Sequence, residues 1–210
     1  MFAKVESGSV KELLKGNKGF TANNNQYPAS VFTLWTEAER NAIGIYTVEI
    51  DNTNLKNTEW YVNTDITYAY DSSANKVKGT YGTPTAKPHA DTKWTQAQID
   101  DSSLVGPAPE GADTNTVRIE GLKTILIRQV KQKAEGILNK TDWYVTRKAE
   151  KSTAIPSSIT THRDAVRTKQ AEMETAITNA ADTPALETLY TYTVKDGVQS
   201  RPLGELPTLE

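Results

Sequence analysis

The side chains that could do chemistry are few and lie scattered along the chain. Histidine occurs only at His89 and His162, which fall in different segments. His162 lies on the apolar stripe of a predicted helix, where a packing role is far commoner than that of a metal ligand or general base. Asp100 and Asp101 are adjacent acids, but a calcium site needs several convergent oxygen ligands. We therefore expect no catalytic or metal-binding residue and no cofactor.

The catalytic motifs that depend on local spacing are also missing. The sequence contains no Gly-Xaa-Ser-Xaa-Gly elbow, no phosphate-binding glycine loop and no His-Glu-Xaa-Xaa-His run. It contains no cysteine, which excludes disulfides and thiolate metal sites. Carboxylates distant in sequence can still converge to cleave glycosidic bonds. A glycan-cleaving enzyme therefore stays open as a third hypothesis, behind two non-enzymatic ones.

Composition favours a multi-part protein over a compact enzyme. Hydrophobic residues make up 37% of the 210 positions, which is low for one thick core. Residues 117–182 carry 12 Lys and Arg against 8 Asp and Glu, without an arginine cluster, so we expect no nucleic acid partner.

The chain begins without the basic and apolar blocks of a signal peptide, and no apolar run approaches the roughly 20 residues that cross a bilayer. We expect no membrane partner.

The longest regular patterns are two amphipathic helical runs between residues 119 and 181. Apolar residues recur at helical spacing in each run, although Lys133 interrupts the first stripe and His162 and Gln170 interrupt the second. The first stripe comprises Ile119, Leu122, Leu126, Val130, Lys133 and Ile137, and the second comprises Ile159, His162, Val166, Gln170, Met173, Ile177 and Ala180. The spacing predicts two long helices that form an arm.

The remaining segments predict an α+β fold around this arm. Alternation at 2–5, 45–50, 60–70 and 76–81 indicates antiparallel strands, Val10 to Lys15 indicates a helical turn, and residues 17–27 indicate an irregular connection. Thr36 with Glu39 forms a capping box that starts a short helix. The aromatic residues of the β-rich part could stack on a sugar or base, or could simply cover the sheet. The predicted division is a β-rich part at 1–105, a Pro/Gly linker at 106–116, a helical hairpin arm at 117–182, and a short helix, hairpin and tail at 183–210.

The junction between the two helical runs carries the most distinctive residues. Thr141 is placed to cap a new helical turn, and Asp142 follows where a negative charge favours a helix N-terminus. Trp143 is expected to pack against the neighbouring helix and fix the corner. Asp142 can pair with Arg163 or Arg167 across that corner, an interaction that contributes about 0 to 1 kcal/mol if exposed.

Here the chain resembles a known family. Four short runs carry the resemblance: Ile137-Leu138, Thr141-Asp142-Trp143, Ile155-Pro156 and His162-Arg163-Asp164-Ala165-Val166-Arg167. Together they are similar to a recurring motif of bacteriophage tail-fibre and tail-fibre-assembly proteins. Their sequence is most similar to versions of the motif from phages of aquatic bacteria. The usual motif has Tyr in place of His162 and Leu in place of Val166. The first six residues also resemble the start of such proteins.

The resemblance implies a protein that binds other phage tail proteins and performs no chemistry. The first hypothesis is a structural virion protein, made in the bacterial cytoplasm and linking or decorating a tail fibre or baseplate. The alternative is an assembly chaperone that leaves before the particle is complete. Either role implies a homo- or hetero-oligomer. The expected partner-binding residues are Trp143, Ile155, Arg163, Arg167 and Met173, with Trp143 as the anchor because buried aromatics often dominate interfaces.

Overall fold

The chain adopts a mixed α+β fold, with most strands in the first half and most helices in the second, which confirms the predicted fold class. The structure is a computed structural model that describes residues 1–209. Its chain divides into two compact units, Met1–Thr85 and a second that begins at Ala86. Among the described residues, no helix combines the length and apolar character that a bilayer crossing requires.

The first unit is built around a five-stranded sheet with the order β2-β1-β5-β8-β7. Its elements are β1 (Phe2–Glu6), β2 (Ser9–Leu14), β3 (Phe20–Ala22), β4 (Asn25–Tyr27), α1 (Val31–Leu34), α2 (Glu37–Ala42), β5 (Ile45–Asp51), β6 (Tyr61–Val62), β7 (Ile66–Asp71) and β8 (Lys76–Tyr81). The two-residue strand β9 (Thr85–Ala86) spans the boundary between the units. The edge strands β2 and β7 approach within 8 Å between Cα atoms, so the sheet curls on itself.

The sheet is mixed, which corrects the prediction of a purely antiparallel part. Strand β5 pairs in parallel with β8, whereas the other neighbours pair antiparallel. The β7–β8 hairpin forms as predicted, but its second strand takes the inner position against β5 and leaves β7 at the edge. Sequence alternation identifies strands but not the order in which they pair.

Strand β1 has apolar side chains on both faces. Ala3 and Val5 belong to one cluster with Val77, whereas Phe2 packs against a second cluster that contains Phe20 and Phe32. The Phe2 and Phe32 ring centroids are 4.8 Å apart. Trp60 is buried, which excludes it from a stacking platform open to ligands.

Two predictions in this unit are wrong. Residues 10–15, predicted as a helical turn, lie mostly in strand β2, because pairing with β1 supplies their hydrogen bonds. Residues 17–27, predicted as irregular, contain the β3–β4 hairpin. Its turn residues Asn23 and Asn24 both have positive φ, of 48° and 61°, as a tight hairpin turn requires.

The second unit contains the helices. Its elements are β10 (Thr92–Lys93), α3 (Gln96–Asp100), β11 (Val117–Ile119), α4 (Leu122–Asn139), α5 (Asp142–Lys151), α6 (Ser157–Asn179), α7 (Thr183–Tyr190), β12 (Thr193–Lys195) and β13 (Val198–Ser200). The predicted arm is the α4/α6 pair, with α5 as an additional helix at the corner. The division of the chain after Thr85 precedes the predicted linker at 106–116. Residues 86–116 belong with the helices because β10 pairs with β11.

Helices α4 and α6 pack antiparallel through their predicted apolar stripes. Lys123 at the start of α4 donates to the carbonyl of Thr178 near the end of α6, at 2.8 Å. At the opposite end Arg163 of α6 reaches the carbonyl of Leu138. The predicted stripe residues that are buried in the two helices are Leu126, Val130, Ile159, Val166, Met173 and Ile177. Ala134 is buried with them although it was not predicted. Ile119 was predicted to begin the first helix, but it is exposed and ends strand β11, because its segment pairs with β10.

The start of α4 is held by a loop distant in sequence. Gly121, its N-cap, has no side chain to cap the helix. Instead the Asp91 carboxylate accepts from the Gly121 N–H at 2.7 Å and from the Thr124 hydroxyl at 2.8 Å. The carbonyls of Pro88 and His89 accept the next two N–H groups. These contacts satisfy donors that every helix N-terminus leaves unpaired.

Candidate functional site

The corner between α4 and α6 is organised by a buried arginine. The Nη1 of Arg163 lies 2.8 Å from the Leu138 carbonyl oxygen, 2.7 Å from the Thr141 Oγ1 and 2.8 Å from the Asp142 Oδ1. Arg163 and Thr141 are buried, whereas the Asp142 side chain is 52% exposed. We call Arg163, Leu138, Thr141 and Asp142 the arginine clamp. It ties the end of α4 and the start of α5 to the first turns of α6.

Thr141 occupies the predicted N-cap position of α5, but its side chain does not cap the helix. The side chain accepts no hydrogen bond from the first turn of α5. Its hydroxyl instead donates back to the Leu138 carbonyl at 2.9 Å and accepts from Arg163. The capping hydrogen bond is missing because the buried guanidinium takes the oxygen that would otherwise accept it.

Of the two predicted ion pairs across the corner, the structure contains the one between Asp142 and Arg163. Arg167 pairs with Asp164 on its own helix, at 3.2 Å. Asp142 also lies in the first turn of α5, where a carboxylate interacts favourably with the helix dipole.

Trp143 is 51% exposed and does not pack against the neighbouring helix, so the predicted packing role is wrong. Thr141 and Arg163 already fill the corner. The Trp143 ring lies against Tyr144, with centroids 3.8 Å apart and ring planes tilted by 31°. The Arg147 guanidinium carbon lies 4.7 Å from the Trp143 centroid and 5.2 Å from that of Tyr144. We call Trp143, Tyr144 and Arg147 the aromatic patch.

The aromatic patch lies on a helix that carries an excess of positive charge. Helix α5 carries Arg147, Lys148 and Lys151, and its one acid besides Asp142 is Glu150. Within residues 1–209 none of these four forms an ion pair. The Asp142 carboxylate is already engaged by Arg163. Trp143, Tyr144 and Arg147 are the residue types most common at interface hot spots, and the helix adds two lysines beside them.

The five predicted partner-binding residues fall into different environments. Trp143 and Arg167 are exposed and Ile155 is half-buried, whereas Arg163 and Met173 are buried. The last two are less than 10% exposed, because Arg163 forms the clamp and Met173 packs among the helices, so neither presents a surface on which another protein could dock. Tyr144 and Arg147 were not predicted, although the spacing of four between Trp143 and Arg147 places the two side chains on one helix face.

The groups considered for chemistry lie apart. His162 is half-buried, and its Nε2 has no hydrogen-bond partner within residues 1–209. Asp101 closes a turn, and hydrogen bonds from the Ser103 side chain and backbone lower the pKa of its carboxyl. No group of three or more His, Asp or Glu side chains is arranged to hold a metal ion in the described part of the chain. No protein-family model, curated protein or solved structure matches this chain significantly.

Proposed function

We propose that this protein is a non-enzymatic structural component of a bacteriophage tail, a connector or decoration at the fibre or baseplate that docks on other tail proteins. The proposal rests on the resemblance of residues 137–170 to the tail-fibre motif. The observation that carries it is the exposed aromatic patch, because its central Trp143 belongs to that motif and is left open to solvent.

The aromatic patch has the properties of a preformed anchor. Trp, Tyr and Arg are the residues that most often dominate the binding energy of protein interfaces. Arg147 already lies against both rings, and the arginine clamp fixes the start of the helix that carries them. Side chains that are ordered before binding lose less conformational entropy on association.

The unpaired cations indicate what the partner surface contains. Arg147, Lys148 and Lys151 would meet like charges unfavourably and carboxylates favourably. We therefore propose that the docking partner presents an apolar surface bordered by Asp or Glu side chains. A stable interface of this kind buries upwards of about 1,000 Å² in total, so surface beyond the patch also takes part.

The proposal is tested in virus particles. Phage are grown with the chain supplied from a plasmid in place of their own copy, and the copies per purified particle are counted by quantitative mass spectrometry. The parent chain is expected in a fixed ratio to other tail subunits. Its absence from finished particles would reject the structural role and favour the alternative, an assembly chaperone.

Trp143→Ala tests the anchor. Truncating a hot-spot residue costs about 2 kcal/mol or more, or roughly thirtyfold in affinity, so we expect few or no copies per particle. A packed tryptophan would also lose about 3 to 5 kcal/mol of stability. Because Trp143 is half-exposed and stacks on neighbours in its own helix, we expect the free energy of unfolding to fall by less than about 1 kcal/mol.

Leu104→Ala is the matched control, since Leu104 is a large apolar residue that is 56% exposed outside the patch. It should enter particles like the parent chain. Normal incorporation of Trp143→Ala would refute the anchor role. Activity of the purified chain on host-envelope glycans, lost when one carboxylate is changed, would instead support the glycan-cleaving hypothesis.

A further inference from the structure

A cavity of about 300 Å³ lies between the helical arm and the end of the chain. Its walls come from α4, from Met173 of α6, from Tyr190 at the end of α7, and from the segment that follows β13. We call that segment, residues 201–209, the C-terminal tail. The residues that line the cavity from α4 are Gln129, Val130, Lys133 and Ile137, and those from the tail are Arg201, Glu205 and Leu206.

The tail is a fixed wall. Leu203 is buried and its N–H donates to the Leu189 carbonyl at 3.0 Å. The Arg201 guanidinium lies 5.1 Å from the ring centroids of both Tyr190 and Tyr192, and its Nε is 2.8 Å from the Glu205 carboxylate. These contacts hold the wall in place before any ligand arrives.

Apolar and polar side chains both line the cavity. Val130, Ile137, Met173 and Leu206 supply its apolar lining, which we call the floor. The side chains of Lys133 and Gln129 have no hydrogen-bond or ionic partner within residues 1–209.

Among residues 1–209 the one carboxylate in the lining does not compete for these donors. Glu205 is already bound by Arg201 and by the Tyr192 hydroxyl, so no carboxylate of the described residues compensates the charge of Lys133. The same lysine is the residue that interrupts the apolar stripe of α4.

From this arrangement we infer that the cavity is a binding site for an apolar carboxylate, with the hydrocarbon chain on the floor and the carboxylate on Lys133 and Gln129. Ligand sites typically combine an apolar lining with a few polar groups that orient the ligand. A water-sized group occupies about 30 Å³, so the cavity holds about ten such groups. Octanoate has that number of non-hydrogen atoms and is the probe of choice.

The experiment measures octanoate binding to the full chain by calorimetry and ligand-observed NMR, with 1-octanol as the uncharged control. Octanoate should bind at least about tenfold more tightly than octanol, because only the carboxylate gains a charge-assisted hydrogen bond. Lys133→Met retains an apolar side chain and removes the charge, so it should lose that advantage. Lys148→Met removes an unpaired lysine outside the cavity and should bind like the parent chain.

A second variant tests the location independently of charge. In Leu206→Trp the larger side chain of the C-terminal tail fills part of the cavity, so binding of both octanoate and octanol should be abolished. The thermal midpoint of the variant verifies that the chain is folded. Equal affinity for octanoate and octanol, an unchanged affinity of Lys133→Met, or binding that survives Leu206→Trp would each overturn the inference. Absence of octanoate binding at millimolar concentration would do the same.

The natural carboxylate could be a free amphiphile or the C-terminus of a polypeptide, and a further arm separates them. A short peptide that ends in leucine is compared with its C-terminal amide. Tighter, Lys133-dependent binding of the free acid identifies a polypeptide end as a competent ligand, whereas binding of octanoate alone identifies the amphiphile. The inference does not depend on the proposed docking to phage tail proteins, because Trp143→Ala should bind octanoate normally even if it fails to enter phage particles.

Discussion

Replacing the buried arginine of the clamp tests whether this polar group stabilises the corner. Arg163→Met retains most of the apolar volume and removes the guanidinium. The Nη1 atom lies within hydrogen-bond distance of three oxygens but has only two hydrogens, so the three contacts amount to about two full bonds.

The expected loss follows from these bonds and their surroundings. Hydrogen bonds to a charged group contribute about 1.5 to 3 kcal/mol each, so two amount to about 3 to 6 kcal/mol. Removing the guanidinium also removes the unfavourable free energy of burying its charge. The Leu138 carbonyl keeps the Thr141 hydroxyl as a donor, and the half-exposed Asp142 regains water. We therefore expect a net loss of about 2 to 3 kcal/mol.

Asp142→Asn is the matched variant. Its side chain is 52% exposed, so losing the ionic part of this pair should lower the free energy of unfolding by less than about 1 kcal/mol. Urea unfolding followed by circular dichroism at 222 nm measures both variants, and hydrogen exchange of α4 and α6 locates the loss. Buried charges can often be replaced by apolar groups without loss of stability. If that holds here, Arg163→Met will be at least as stable as the parent chain, and this result would refute the expected loss. So would an Asp142→Asn chain that loses as much as Arg163→Met.

Two further predictions concern glycine and a titrating acid. Gly136→Ala should raise the free energy of unfolding by about 0.5 to 1 kcal/mol, because an added Cβ in α4 meets no atom of residues 1–209 within 4 Å. Gly121→Ala should lower it, because the added Cβ would collide with the Ala90 backbone. Urea midpoints decide both. The pKa of Asp71 is lowered to about 2, first by the Ser73 hydroxyl and then by Lys78, so its stabilising contribution is complete above its ordinary pKa near 4 and is lost as pH falls through 2. In an NMR titration Ser73→Ala should raise that pKa more than Lys78→Met, and equal pKa values for the two variants would contradict this order.

Sequence-based predictions succeeded where the determining interactions are local. The Thr36 and Glu39 side chains form the predicted capping box, and the short helix predicted at the start of residues 183–210 forms as α7 (Thr183–Tyr190). The long stripes of α4 and α6 are buried with helical periodicity. Each signal depends on residues a few positions apart, so the sequence contains it directly.

Predictions failed where a distant partner decides the outcome. Strand β2 exists because β1 pairs with it, although Leu13 and Leu14 gave its segment a helical pattern. Arg163 is buried because three oxygens from residues 138–142 converge on it, and neither burial nor convergence is visible in its own helix. The missed β3–β4 hairpin is a different case, because its signal is local. Its turn could have been predicted from Asn23 and Asn24, since both residues tolerate positive φ.

Helix α4 is secured at both ends by side chains from outside itself, Asp91 at the first turn and Arg163 at the last. A truncated gene that starts within the Pro/Gly stretch at 106–116 would encode the whole helix yet omit the acid that caps it. Fraying would then begin at Gly121, because the first amides would have only water to bind. A fragment of the arm for crystallisation trials or binding studies should therefore start at Ala86, so that it contains both Asp91 and Arg163.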